Sequence, residues 1–285
     1  MNKLLISGIG AVLLGGFCQS ASADTLGNSR AVSAPNGKVE INGGWDGSTT
    51  NPGSFDFNGA AAFAAPIGND FGFQGDVAAG QFAGAMNYSA SAHVFTRNPD
   101  SYLLGIVGGG AWSANASTYV VGPEAELYAG PFTIDGSAGF VAKSVSGVSS
   151  NTFFAAADLK YYPTPNLKLE LGAADFDNSK TAHLGMEWQV SDSQPLSLST
   201  TGTVGDNNFL AANVGVTYYF GGLSNTLIDR HRHEDPANFS RLLVFYNGAY
   251  QYVNVANGSV VATNAGGTCP AGYVLNPIGC VPISK

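Results

Sequence analysis

The residues able to do chemistry are few. The chain holds 4 His and 3 Cys, with 20 acidic side chains against 12 basic ones. His93 follows Ser89 and Ser91 at even spacing, and His183 precedes Glu187 by four residues. A Ser beside a His could hydrolyse an ester, but that needs direct contact at ~3 Å and a third group to orient the base. The sequence has no nucleophile elbow and no lipase constellation, so both histidines read as polar side chains that hydrogen-bond within a strand. Gly108-Gly109-Gly110 would cradle phosphate only at a strand-to-helix junction, usually with a Lys, and neither is present. His231 and His233, at i and i+2, could hold a transition metal. Their setting, the mixed-charge run Asp229–Pro236, reads instead as a solvated hinge. Cys269 and Cys280 form an even pair and are expected to close a short loop by a disulfide in an oxidising compartment. No catalytic residue, cofactor or metal is expected.

Composition narrows the scaffold. Of 285 residues 38 are Gly, close to twice the usual share, with no G-x-y period. Only 11% are charged and the net charge is −8, which argues against a nucleic-acid partner. Lys3 precedes an apolar run from Leu4 to Phe17, and Ala21-Ser22-Ala23 closes it with small residues. That is the form of a secretory signal peptide over residues 1–23. Cys18 would be a lipidation site only with a small residue before it, and Phe17 stands there. Beyond residue 23 no apolar stretch is long enough for a membrane helix.

From Val39 to Phe220 apolar and polar residues alternate. Val39, Ile41, Gly43 and Trp45 interleave with Glu40, Asn42, Gly44 and Asp46, and Leu167, Leu169 and Leu171 with Lys168, Glu170 and Gly172. Period two is the mark of a strand with unlike faces. Twelve such segments start near residues 38, 55, 71, 86, 102, 117, 132, 153, 167, 180, 196 and 209. The spacing is about 15 residues, enough for a membrane-crossing strand of roughly 9–11 residues and a turn. Connections at Pro66–Asn69, Arg97–Ser101, Gly130–Pro131, Pro163–Asn166 and Ser191–Pro195 are short and contain Pro. Asp46–Ser54 and Ser144–Thr152 read as longer loops, although Ser113–Ser117 does not. Short turns at one end and long loops at the other fit an outer-membrane barrel. Alternation alone also fits a soluble sandwich.

If the apolar set faces lipid, the polar set faces a lumen. That set contains Glu40, Asp46, Asp56, Asp76, Glu124, Glu126, Asp135, Asp158, Glu170 and Glu187, against Lys143, Lys160 and Lys168. A water-filled tube with this excess of carboxylates would favour cations. The competing expectation is a filled barrel in which the charges pair with one another.

Asn213-Val214-Gly215-Val216-Thr217-Tyr218-Tyr219-Phe220 resembles the terminal strand of Gram-negative outer-membrane proteins. Such strands carry a Gly, alternating apolar and aromatic residues and a final Phe. The resemblance implies that Gly215, Tyr218 and Phe220 form a signal for the barrel-insertion machinery. Here 65 residues follow the Phe, which normally ends the chain. More widely, Ala92–Pro99 with Leu103-Leu104-Gly105, Val121–Tyr128 and Tyr161–Leu167 resemble a loosely characterised family of bacterial outer-membrane barrels. That resemblance implies an all-β, transmembrane, antiparallel up-and-down barrel in outer-membrane lipid, and no defined activity.

The expected organisation is therefore a cleaved segment 1–23, a periplasmic lead-in 24–37, a barrel of about twelve strands over 38–220 and a periplasmic tail over 221–285. In the tail, Leu242–Tyr246 and Tyr250–Val253 flank Asn247-Gly248, a hairpin signal. The tail could cap the barrel, plug it, or touch peptidoglycan or another envelope protein. The leading functional expectation is passive diffusion of small, preferably cationic solutes. The rivals are a non-conducting structural or adhesive barrel and a lipid-modifying barrel enzyme acting through His93 or His183.

Overall fold

The computed structural model describes residues 30–48, 51–82, 85–114, 116–145, 148–177, 179–234, 237–256, 273–276 and 279–282. Residues 1–29 and Cys269 fall outside these, and with them the signal-peptide expectation and the disulfide.

Twelve strands close on themselves in sequence order. They are β1 (Asn36–Ser48), β2 (Asn51–Ile67), β3 (Phe71–Phe82), β4 (Ala85–Asn98), β5 (Tyr102–Trp112), β6 (Ala116–Ala129), β7 (Phe132–Val145), β8 (Val148–Thr164), β9 (Leu167–Phe176), β10 (Ser179–Ser191), β11 (Gln194–Gly205) and β12 (Phe209–Gly221). Every neighbouring pair is antiparallel, and the seam runs from Asn36↔Gly221 to Ser48↔Phe209. Closure leaves no sheet edge, so the ladder of backbone hydrogen bonds runs around the whole wall.

The starts of the strands follow the alternation closely. The loop lengths do not. β1 runs to Ser48 and β2 begins at Asn51, while β7 runs to Val145 and β8 begins at Val148. Asp46–Ser54 and Ser144–Thr152 are thus mostly strand, and connections are short at both ends. Ser, Thr, Asn and Gly read as loop, but here ladder hydrogen bonds continue through them. Tertiary pairing overrides weak strand propensity.

The apolar set faces outward. Ile41, Phe55, Phe140, Leu184 and Val214 are each more than 60% exposed. Large apolar side chains are exposed on every strand of the cylinder. A soluble sandwich would bury these residues, so its arrangement is excluded. Such a surface needs an apolar surrounding.

Beyond β12 the chain turns back. Gly221 and Gly222 have φ of 68° and 71°, a region that L side chains rarely adopt. A Cβ on Gly221 would also press on the Pro35 carbonyl oxygen at 2.6 Å. Helix α1 (Leu227–His233) and helix α2 (Phe239–Ala256) follow, then a two-stranded hairpin of β13 (Tyr273–Asn276) and β14 (Gly279–Pro282). The hairpin expected around Asn247-Gly248 is instead the middle of α2. The Asn-Gly turn signal lost to burial: Phe239, Leu243 and Tyr246 fall at i, i+4 and i+7 and are all buried.

Candidate functional site in the barrel lumen

All thirteen acidic and basic residues expected on the polar face point inward. Glu40, Asp46, Asp56, Asp76, Glu126, Lys143, Lys160 and Glu187 are buried. Glu124, Asp135, Asp158, Lys168 and Glu170 are shielded to within 11–24% side-chain exposure. Buried charges in so narrow a space need partners, and most have them. Lys160 pairs with Asp135. Lys168 Nζ lies 3.0 Å from Glu170 and 3.3 Å from Glu187. Lys38 and Arg241 both approach Glu40, at 3.8 and 3.4 Å.

His93 sits between two carboxylates, with Nε2 3.0 Å from Asp76 and Nδ1 2.8 Å from Glu124. His183 Nε2 lies 3.3 Å from both Glu170 and Asp158. Neither ring is bonded to a hydroxyl among the described residues. The Ser89 and Ser91 hydroxyls turn instead to α2 and to Asp76: Ser89 donates to the Ser240 carbonyl at 2.7 Å and Ser91 to Asp76 at 3.1 Å. Among the described residues no nucleophile–base pair is assembled at either histidine.

The lumen is occupied by the chain's own tail. Helix α1 spans the barrel mouth where β12 ends. Thr226 caps it by accepting from the Asp229 N–H at 3.4 Å. The Leu227 and Ile228 N–H groups donate to Asn166 and Pro165 in the β8–β9 turn, at 3.2 and 3.0 Å. Arg232 donates to the Phe132 carbonyl at 2.7 Å. The lead-in strap joins in, with the Ser33 N–H donating to the His233 carbonyl at 2.9 Å.

The run Asp229–Glu234 is therefore a docked helix and not a solvated hinge. Arg230 and Glu234 are 5% and 2% exposed. The two tail histidines have separate partners. His231 meets the Tyr162 and Tyr219 hydroxyls at 2.8 and 3.2 Å, while His233 faces the Asp229 carbonyl at 3.1 Å. No cluster of three metal-binding side chains occurs among the described residues. Burial pushes the His231 imidazole down to about 3, and Lys168, Lys38 and Lys160 act in the same sense against Glu187.

Helix α2 then climbs the lumen. Its first N–H, on Phe239, donates to Asp76 at 3.0 Å, and the Ser240 hydroxyl lies 2.8 Å from that of Ser91. Further up, Phe239, Leu243 and Tyr246 pack into a ring of Val107, Ala111, Val120, Val141, Phe154 and Phe176. On the other side Val244 and Phe245 meet Ala60, Ala78 and Phe82. At the top Asn247 donates to Asn87 at 2.8 Å and accepts from Thr118 at 3.2 Å.

Space for the helix comes from small inward residues. Ala78, Gly80, Ser89, Ser91, Gly109 and Ala111 share the inner face of β3–β5. Alternation by itself assigns these Gly- and Ala-rich segments no partner. The available signal was a run of missing bulk on the polar face, matched by an apolar helical stripe in the tail.

Alongside α2, from the mouth up to the level of Tyr246, remains a chamber of about 300 Å³. Its lining includes Glu40, Glu124, Glu126, Asp135, Asp158, Glu170 and Glu187, with Lys38, Lys160, Lys168, Arg232 and Arg241 among them. The tail supplies two of these five cations.

Gly215, Tyr218 and Phe220 lie on the closing seam. Tyr218 and Phe220 face outward, at 52% and 43% exposure. The Phe220 ring lies over Gly37, where a Cβ would meet it at 2.5 Å.

A closed cylinder of twelve antiparallel strands, apolar outside and polar inside, defines the class: a membrane-spanning up-and-down β-barrel. No family model matches the sequence, and no curated protein matches it. Solved barrels do match in shape. The chain resembles the NanC porin at TM-score 0.50 and 8% identity, over 63% of this chain and 98% of that one. The KdgM porin, solved in complex with disordered oligogalacturonate, aligns at TM-score 0.49 and 7% identity, over 65% and 99%. Omp33 of Acinetobacter baumannii aligns at 0.42 and 10%, over 66% and 99%. At these identities the likeness concerns the fold alone.

Proposed function

We propose that this protein is an outer-membrane barrel of a Gram-negative bacterium, passing small hydrophilic solutes by passive diffusion and held shut by its own C-terminal helix. One observation carries the reading. The inner wall of β3–β5 lacks bulk, and what fills the gap is a separate helix rather than strand side chains. A barrel serving only as scaffold would be filled by its own wall. The exposed apolar belt supports lipid around the cylinder. The place of Phe220 over the closing seam supports its role as an assembly signal.

Selectivity follows from who supplies the charge. The strands bring seven carboxylates to the chamber against three lysines, and the tail adds Arg232 and Arg241. Cation preference is therefore a property of the barrel with its tail withdrawn. The test is planar-bilayer conductance under a salt gradient for residues 24–285 and for 24–220. The full chain should show rare openings, and the truncated barrel steady steps with a cation-selective reversal potential. A folded truncated barrel that stays silent would refute the channel.

A further inference from the structure

The tail is threaded through the barrel from end to end. At the mouth, α1 is bonded to the β8–β9 turn and to Phe132 at the start of β7. Ser240 and Phe239 meet Asp76 and Ser91, near the midpoints of β3 and β4. Asn247 then bonds Asn87 and Thr118, and Tyr246 lies 2.5 Å from Thr181. Those three are the third residues of β4, β6 and β10, which all start at the end away from the mouth. Helix α2 also touches the 3-10 turn Asp206–Asn208 that joins β11 to β12 at that same far end.

Helix α2 does not stop at the rim. It continues from Gly248 to Ala256, about 13 Å of further rise. The next residues, 257–285, carry both remaining cysteines and the β13–β14 hairpin.

We infer that the protein exports its own C-terminus: the segment after α2 emerges at the barrel end opposite the mouth and is presented outside the cell. This rests on the outer-membrane reading for what lies on each side. The threading itself rests only on contacts within the chain. The tail is then a surface-displayed module tethered by a helix through its own barrel, available to partners outside the cell rather than to peptidoglycan.

The test places one epitope tag after Lys285 and, in a second variant, one between Asp192 and Ser193 in the β10–β11 turn. Intact cells should bind antibody at the C-terminal tag, and at the turn tag only after permeabilisation. Protection of both tags in intact cells would overturn the inference. If neither variant co-fractionates with outer membranes, it is the outer-membrane reading that fails. Threading is then decided on purified protein, by S91C/S240C disulfide formation together with linkage of N87C to N247C by a short bis-thiol reagent. Cross-linking at both positions upholds a threaded tail, and a folded barrel that forms neither link refutes it.

Discussion

The docking of α2 can be weakened at one side chain. Leu243 is 1% exposed and sits within the ring of Val107, Val120, Val141, Phe154 and Phe176. Leu243→Ala removes its buried branch and leaves a void that backbone-bonded strands cannot close. Such truncations cost about 2–5 kcal/mol. Taking about 3 kcal/mol, the released population of the tail rises about 150-fold, at 1.4 kcal/mol per decade. The barrel wall is bonded strand to strand and should be indifferent. Limited proteolysis of the tail in detergent-folded protein reads the change directly. When opening and closing outpace cleavage, the rate follows the open population. Cleavage after α1 should speed up by about two orders of magnitude, with unchanged heat-dependent gel mobility. An equal cleavage rate in a folded barrel would mean that the apolar ring does not hold the helix.

The mouth latch should respond to acid. His231 is held neutral with its pKa near 3, against an ordinary 6.5 once released. The released state therefore binds more protons between these values, so docking is fully favoured above about pH 6.5 and weakens as pH falls towards 3. Glu187, Tyr162, Tyr219, Lys168, Lys160 and Lys38 face this ring. At pH 5 the effect is about 2 kcal/mol, roughly 30-fold in tail release. His231→Gln should flatten that step in a proteolysis-against-pH series, and an unaltered step would point to another group. At the seam, Phe220→Ala uncovers Gly37 and should lower the assembled fraction several-fold, read as the share of heat-modifiable barrel in outer-membrane fractions. Equal assembly would remove Phe220 from the assembly signal.

The wall was legible because period two is a local code. Phe71, Phe132, Leu167 and Phe209 were placed at the starts of their strands, since each opens an alternating run just after turn residues. The direction of the faces needed a global fact, closure, which alternation does not carry. The lumen residues were legible as a set, but their pairings were not. Glu170 follows Lys168 by two residues on β9, but Glu187 reaches Lys168 only because β9 and β10 hold a particular register. The tail was the main failure. Asn247-Gly248 is a strong turn signal in water, and the enclosing lumen replaced water with Asn87 and Thr118. Likewise Arg230 and Glu234 look solvated until their partners, Gln189 and the Leu223 and Ser224 N–H groups, are brought in from the mouth.

The seam from Asn36 to Gly221 has one more consequence. A backbone ladder closes the cylinder without a contribution from the tail, so its shape is expected to persist when its contents leave. In a water-soluble fold the centre is the foundation, and emptying it brings the walls down. On the proposed reading the frame stands by itself and the helix is cargo. Withdrawal of α2 is then expected to leave the barrel folded, and changes at Phe239, Leu243 or Tyr246 to act on the plug rather than on the architecture around it.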